Sequence, residues 1–193
     1  MMRFSTLLKH PADWMIGKGA DNAIVLTSRI RLARNLAGIP FPGWAKKEQR
    51  QQVLEELCPV IEGFGCMKDG FSKSLDSLSS VQKQVMVERH LISREHAARG
   101  EGSGVVIDRG QAFAVMMNEE DHLRMQAIRP GLDLAAAHEM IDAFDDEVAD
   151  AVEYAFDPEL GYLTTCPTNL GTGMRASPML HLPAMVLSDH IGQ

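Results

Sequence analysis

Three short stretches hold residue types that can do chemistry together. The first is Thr27-Ser28-Arg29-Ile30-Arg31. Residues two apart share one face of a strand, so Arg29 and Arg31 would stand side by side. Like charges so placed repel unless an anion or carboxylates lie between them. Arginine is the planar, permanently charged donor suited to phosphate. The second stretch is Asn118-Glu119-Glu120-Asp121-His122-Leu123-Arg124, which directly follows the apolar run Ala112 to Met117. Carboxylates crowded at a strand end can orient a cationic group or act as a base, and Arg124 adds a phosphate donor. The third is CPTNLGTGMRAS, residues 166 to 177. Gly171 and Gly173 allow close backbone approach to a ligand. Backbone N–H groups of such a turn can cradle phosphate; Arg175 follows, and Cys166 opens the turn with a thiol.

Each stretch alone has a plainer account: surface salt bridging for the arginines, a solvated turn for the acidic run, a small buried hydrophobe for Cys166. Together they describe several arginines, one acidic cluster and one thiol on strand ends and loops. Phosphoryl transfer asks little more of a protein than positioning and positive charge on the phosphates.

Other motifs fail. His138-Glu139-Met140-Ile141-Asp142 begins like a zinc-protease helix but has aspartate where the second histidine belongs. Gly17-Lys18-Gly19-Ala20-Asp21-Asn22 lacks the third glycine of a dinucleotide fingerprint. There is no P-loop, no ordinary protein-kinase signature, and no metal-ligand spacing among the histidines, so no protein-bound metal is expected.

The elements that must position these residues are legible in part. Residues 23–35 alternate, with Arg29 and Arg31 on one face and Ile30 and Leu32 on the other, as a strand requires. Residues 46–57 read as a helix with Val53, Leu54 and Leu57 on one stripe, ended or kinked by Pro59. Ser79 with Gln82 fits a capping box for a helix running toward His90. Val105 to Ile107 and Ala112 to Met117 read as a strand pair joined by residues 108–111. Apolar residues at three- and four-residue steps predict a helix over 133–155. Tyr162 to Thr165 and Met179 to Leu182 read as strands around a loop. The fold class is therefore α+β, a largely antiparallel sheet flanked by helices.

The 193 residues suffice for one well-cored domain or most of a larger one. A formal net charge of −7 argues against direct nucleic-acid or anionic-membrane binding, so any anion site must be local. No apolar run approaches membrane-spanning length, and the start has no secretory signal pattern. Three cysteines (Cys58, Cys66, Cys166) without a pairing pattern suggest reduced thiols and a cytoplasmic location.

TSRIRLARN, NEEDHLR and CPTNLGTGMRAS, in that order, resemble the three signatures of the ATP:guanido phosphotransferases, the family of arginine and creatine kinases. The resemblance runs from about Trp14 to the end and looks most like the bacterial, protein-arginine-phosphorylating branch. Metabolite-using members carry a helical domain before the first motif, whereas only 26 residues precede Thr27. The resemblance implies a guanido kinase/glutamine synthetase-like catalytic domain, here one partial domain over 1–193 with 1–22 as lead-in and an incomplete C-terminal side.

Residue by residue, it implies nucleotide binding by Thr27, Ser28, Arg29, Ile30 and Arg31, by His90 at the base, by Arg124, and by Arg175, Ala176, Ser177, Pro178 and Met179. Glu120 matches the carboxylate that holds the guanidinium and acts as base, and Cys166 the reactive cysteine beside it. ATP with Mg²⁺ is the implied cofactor. Arginine-bearing protein substrates, an activator protein, a heat-shock repressor and the Clp protease system are the implied partners, with dimerisation only in a longer parent. A catalytically incomplete nucleotide-binding fragment and a free-guanidine kinase are the alternatives. One departure is Pro178, where the family usually has an apolar residue such as a β-branched one. Facing a phosphate, its missing N–H would weaken nucleotide binding; on a sheet edge it would change nothing.

Overall fold

The alternation in residues 23–35 forms strand β1 (Val25–Arg34), which lies inside a six-stranded sheet in the computed structural model, which describes residues 1–191. The other strands are β2 (Phe71–Ser74), β3 (Gly104–Ile107), β4 (Phe113–Met117), β5 (Leu123–Pro130) and β8 (Met174–Leu180). Their order is β2-β3-β4-β5-β1-β8, and every ladder is antiparallel. A separate two-stranded ladder joins β6 (Phe156–Asp157) to β7 (Gly161–Tyr162). The helices are α1 (Phe4–Lys9), α2 (Lys47–Gly63), α3 (Ser80–Glu88), α4 (Arg94–Ala97), α5 (Leu134–Ala151) and α6 (Pro183–Leu187).

Period-two alternation divides the sheet into two faces with different fates. One face is covered from β3 to β1: Ile30, Leu32, Val115, Met125 and Ala127 pack under Val53, Leu57 and Ile61 of α2 and Ala137, Ile141, Phe144 and Val148 of α5, whereas Met174, Ala176, Pro178 and Leu180 of β8 on that side are exposed. The other face is covered only at its β2–β4 end. There Phe71, Val105, Ile107, Ala114 and Met116 pack with Leu7 of α1, Met86 of α3 and Leu91. Across β5, β1 and β8 that second face carries no core α-helix among the described residues; the 3-10 turn Asp13–Ile16 and the His90–Leu91 backbone close part of it. Register puts Arg124 opposite Met116 and opposite Ala33, and Arg31 opposite both Gln126 and Arg175. Arg31, Arg124 and Arg175 thus continue the face whose other half is core.

Three elements depart from expectation. Helix α2 runs through Pro59 to Gly63. Pro59 and Glu55, whose carbonyl loses its intrahelical donor there, are both exposed, so water takes the freed group. Helix α5 stops at Ala151 rather than 155. The chain turns extended because Tyr154 bridges Leu36 and the Ala155 N–H donates to the Asn35 carbonyl, 2.7 Å. Of the expected 162–165 strand only Tyr162 lies in one, β7 (Gly161–Tyr162), and the 179–182 strand begins earlier, at Met174.

Strand β8 is the sheet edge. The Ala33 N–H donates to the Gly173 carbonyl at 2.9 Å, so odd-numbered residues of β8 bond to β1 and even-numbered ones point outward. Pro178, opposite Ser28, therefore has its missing N–H on the free edge and costs no ladder bond.

Candidate functional site

The open face of β5, β1 and β8 gathers Arg124, Gln126 and Ile128; Ala33, Arg31, Arg29 and Thr27; and Gly173, Arg175, Ser177 and Met179. Three openings adjoin along it. A cavity of about 180 Å³ is lined by Trp14, Thr27, Arg29, His90, Ile128, Ser177, Pro178 and Met179. A second, of about 170 Å³, holds Arg31, Glu120, Asp121, Arg124, Cys166, Thr168 and Arg175 among its walls. A wider depression of about 530 Å³ adds Glu95, Arg99 and Glu119 beside Glu120 and the same arginines.

The alternation that groups some expected residues excludes others. Ser28 is fully buried, its hydroxyl donating to the Gly131 carbonyl (2.8 Å) and accepting from the Asp133 N–H (2.9 Å). Ile30 belongs to the helix-covered core, and Ala176 lies opposite it on that same face. Only the backbones of these three can reach the open face. Arg29, Arg31, Arg124 and Arg175 do converge. Burial, then Arg29, Arg124 and Arg175, pull the Arg31 guanidinium down to about 10. Burial, then Arg124 and Arg175, lower Arg29 as well. The group stays cationic at neutral pH but is short of anions.

Arg124 is held by its neighbour in the motif. Its Nη1 donates to both carboxylate oxygens of Glu119, 2.8 Å each. Glu119 also accepts from Ser93 Oγ (2.6 Å) and the Glu120 N–H (2.9 Å). Burial pushes the Glu119 carboxyl up, but Arg124 and these hydrogen bonds outweigh it and hold it below the ordinary range. The adjacent acids behave differently. Glu120 is exposed in the depression, and burial, Asp121 and Glu119 raise its carboxyl despite Arg124. A raised, accessible carboxylate is the better proton acceptor.

Asp121 brings the thiol to this carboxylate. Its Oδ1 accepts from Asn35 Nδ2 and from the Thr165 N–H, 2.7 Å each, while Thr165 Oγ1 donates to the Glu120 carbonyl at 2.9 Å. The segment entering Cys166 is thereby docked on the Glu120–Asp121 turn. Cys166 is half-buried, with its Sγ 3.0 Å from Thr168 Oγ1. His122 is structural: Nδ1 accepts the Leu36 N–H (3.0 Å), so the proton sits on Nε2, 3.1 Å from the Pro40 carbonyl.

Sequence reasoning missed three participants. Trp14 enters the first cavity 5.3 Å from the His90 ring. Glu119 was read only as part of an acidic run. Arg34 donates to Asp145 Oδ2 through Nε (3.1 Å) and Nη2 (2.6 Å) and to the Thr172 carbonyl through Nη1 (2.9 Å), its carbon 3.6 Å from the Tyr162 ring centre. A Cβ at Gly173, whose φ is +62°, would lie 2.6 Å from Arg34 Nη1, so glycine is required there.

Three donors on the open face, Trp14 Nε1, Arg31 Nε and Ser177 Oγ, are buried without a hydrogen-bond partner. Together with the arginine row they fit a polyanion that also offers acceptors. Among the described residues no three His, Cys, Asp or Glu side chains converge as a metal cage, and no helix is long and apolar enough to cross a membrane.

The site is thus an arginine-rich sheet face ending in a carboxylate and a thiol. The chain belongs to the ATP:guanido phosphotransferase family, whose C-terminal catalytic domain it matches over residues 52–193. That span holds Glu120, Arg124, Cys166 and Arg175, while Arg29 and Arg31 precede it. It is 44% identical over 185 residues to the protein-arginine kinase of Halothermothrix orenii, covering 96% of this chain and 53% of that one. To the protein-arginine kinase of Moorella thermoacetica it is 44% identical over 188 residues, covering 96% and 54%. The chain spans about half the length of these relatives. The fold matches the substrate-free duplicated taurocyamine kinase of Schistosoma mansoni, with a TM-score of 0.76, 25% identity, and coverage of 96% and 27%. It likewise matches lombricine kinase, with a TM-score of 0.76, 25% identity, and coverage of 94% and 55%.

Proposed function

We propose that this chain carries the nucleotide- and guanidinium-binding part of a cytoplasmic, ATP-dependent protein-arginine kinase, as one partial catalytic domain with residues 1–22 leading in. The observation that carries the reading is the convergence of Arg29, Arg31, Arg124 and Arg175 on one open face that ends at Glu120 and Cys166. The relatives' identity as protein-arginine kinases supports the choice of acceptor. The activator protein, the heat-shock repressor and the Clp protease system are proposed partners on the resemblance alone.

In this reading the arginine row holds the triphosphate and neutralises charge on the group in flight. Mg²⁺ would arrive with the phosphates and would add charge neutralisation beside the arginine row. Glu120 hydrogen-bonds the acceptor guanidinium, aligns one nitrogen and takes its proton. Glu119 keeps Arg124 in place through its two contacts. Cys166 stands across the same cavity as Glu120, on the guanidinium side.

The test is to incubate the protein with MgATP and an arginine-rich protein and to measure acid-labile phosphate on arginine. Transfer that Glu120→Ala abolishes is expected; transfer indifferent to Glu120→Ala overturns the assignment. A second reading, nucleotide binding without transfer, is favoured by the chain spanning only about half the length of its protein-arginine kinase relatives. Calorimetric MgATP binding with no phosphoarginine formed would select it.

A further inference from the structure

We propose that Trp14 is a base-contact residue of this site, its indole N–H donating to a ring nitrogen of a purine nucleoside triphosphate whose phosphates lie along the arginine row. The inference rests on the nucleotide reading above and adds to it a residue and a specificity element. Trp14 sits in the 3-10 turn Asp13–Ile16 and forms one wall of the 180 Å³ cavity. Its ring meets His90 at 61° and 5.3 Å, edge to face. Ile128 and Met179 add apolar walls, and Arg29 stands in the same cavity. A flat apolar slot beside a guanidinium suits an aromatic heterocycle attached to an anion.

The indole nitrogen supplies the more specific argument. It is a donor only, and here it is buried with no partner. Native structures rarely leave such a donor unmatched. Ser177 Oγ, in the same cavity, is also buried and unmatched. Two orphaned polar atoms in one slot point to acceptors on an occupant, and a purine carries ring-nitrogen acceptors in its plane.

The turn bearing Trp14 is anchored. A Cβ at Gly19 would lie 2.2 Å from the Pro130 carbonyl oxygen, and the Leu132 N–H donates to the Ala20 carbonyl at 2.9 Å. The segment is therefore pinned to the end of β5, and Trp14 is presented rather than trailing.

The chain has two tryptophans, and Trp44 is 74% exposed beside Phe41, outside the cavity. In a Trp44→Phe protein all indole emission belongs to Trp14. MgATP should change that emission saturably, whereas inorganic tripolyphosphate should bind by calorimetry and leave it unaltered. Trp14→Phe keeps an aromatic wall and removes the donor. It should weaken MgATP binding about fivefold, the worth of one neutral hydrogen bond, and leave tripolyphosphate binding unchanged. Equal weakening of both ligands, or MgATP binding that neither moves Trp14 emission nor responds to Trp14→Phe, overturns the base contact while the phosphate site stands. Failure of the unsubstituted protein to bind either ligand overturns the nucleotide reading and this inference with it.

Discussion

Arg31 of β1 and Arg175 of β8 are direct cross-strand partners, two cations facing each other on an open sheet. Arg29 and Arg124 stand close enough to depress Arg31 further, after burial itself. A base whose affinity for its proton falls on folding is a base the folded state resists charging. The arginine row therefore strains the ligand-free protein.

Removing one member should relieve that strain. Arg175→Met is expected to stabilise the ligand-free protein by roughly 0.2–1 kcal/mol, the usual cost of like charges set opposite across strands. The same change should shrink the rise in thermal midpoint that MgATP produces. Melting curves with and without MgATP check both; a lowered midpoint, or an undiminished response to ligand, would contradict the account.

Asp121 couples the thiol segment to the acidic turn through the Thr165 N–H and Asn35. Asp121→Ala removes both hydrogen bonds at once, since a single oxygen, Oδ1, accepts them. In a Cys58→Ser, Cys66→Ser background, Cys166 should react about fivefold faster with a thiol reagent, since losing about one hydrogen bond's worth of free energy opens the segment more often. An unchanged rate would mean the segment is held by other contacts.

His96 should set part of the acid limit. It is fully buried, with Nε2 3.0 Å from the Gly104 carbonyl, and burial drives its pKa down to about 4. Unfolded, the ring protonates near its ordinary value of about 6.5. The unfolded chain thus binds the extra proton first, and stability falls as pH drops from about 6.5 to about 4. Across that window the loss is about 3 kcal/mol, from 1.36 kcal/mol per unit. His96→Gln, which can still donate to Gly104, should flatten this limb in denaturant melts at stepped pH. An unaltered slope would assign the limb to other groups.

The sequence showed the chemistry better than its supports. Alternation exposed β1 and the side on which Arg29 and Arg31 stand, because a strand's period is local. Arg34 was invisible in its second role because Asp145 is 111 residues away. Trp14 carried no periodic signal; its place follows from the close approach of Gly19 to Pro130, a tertiary contact. Glu119 and Glu120 look alike in sequence, and only the fold buries one against Arg124 and leaves the other in solvent. Gly171 and Gly173 signalled a loop and so masked the start of β8, whose extended form comes from pairing with β1.

The outer edge of β8 also bears on how copies of this chain meet one another. An unpaired strand is a template onto which a second strand can zip, in a crowded solution as in a fibre. Here the template is broken. Thr172 Oγ1 already takes the Met174 N–H at 3.2 Å, and Pro178 has none to give, which leaves only Ala176 and Leu180 as outward donors. Pro178 thus falls where it interrupts the ladder a stray strand would need, beside a row of arginines.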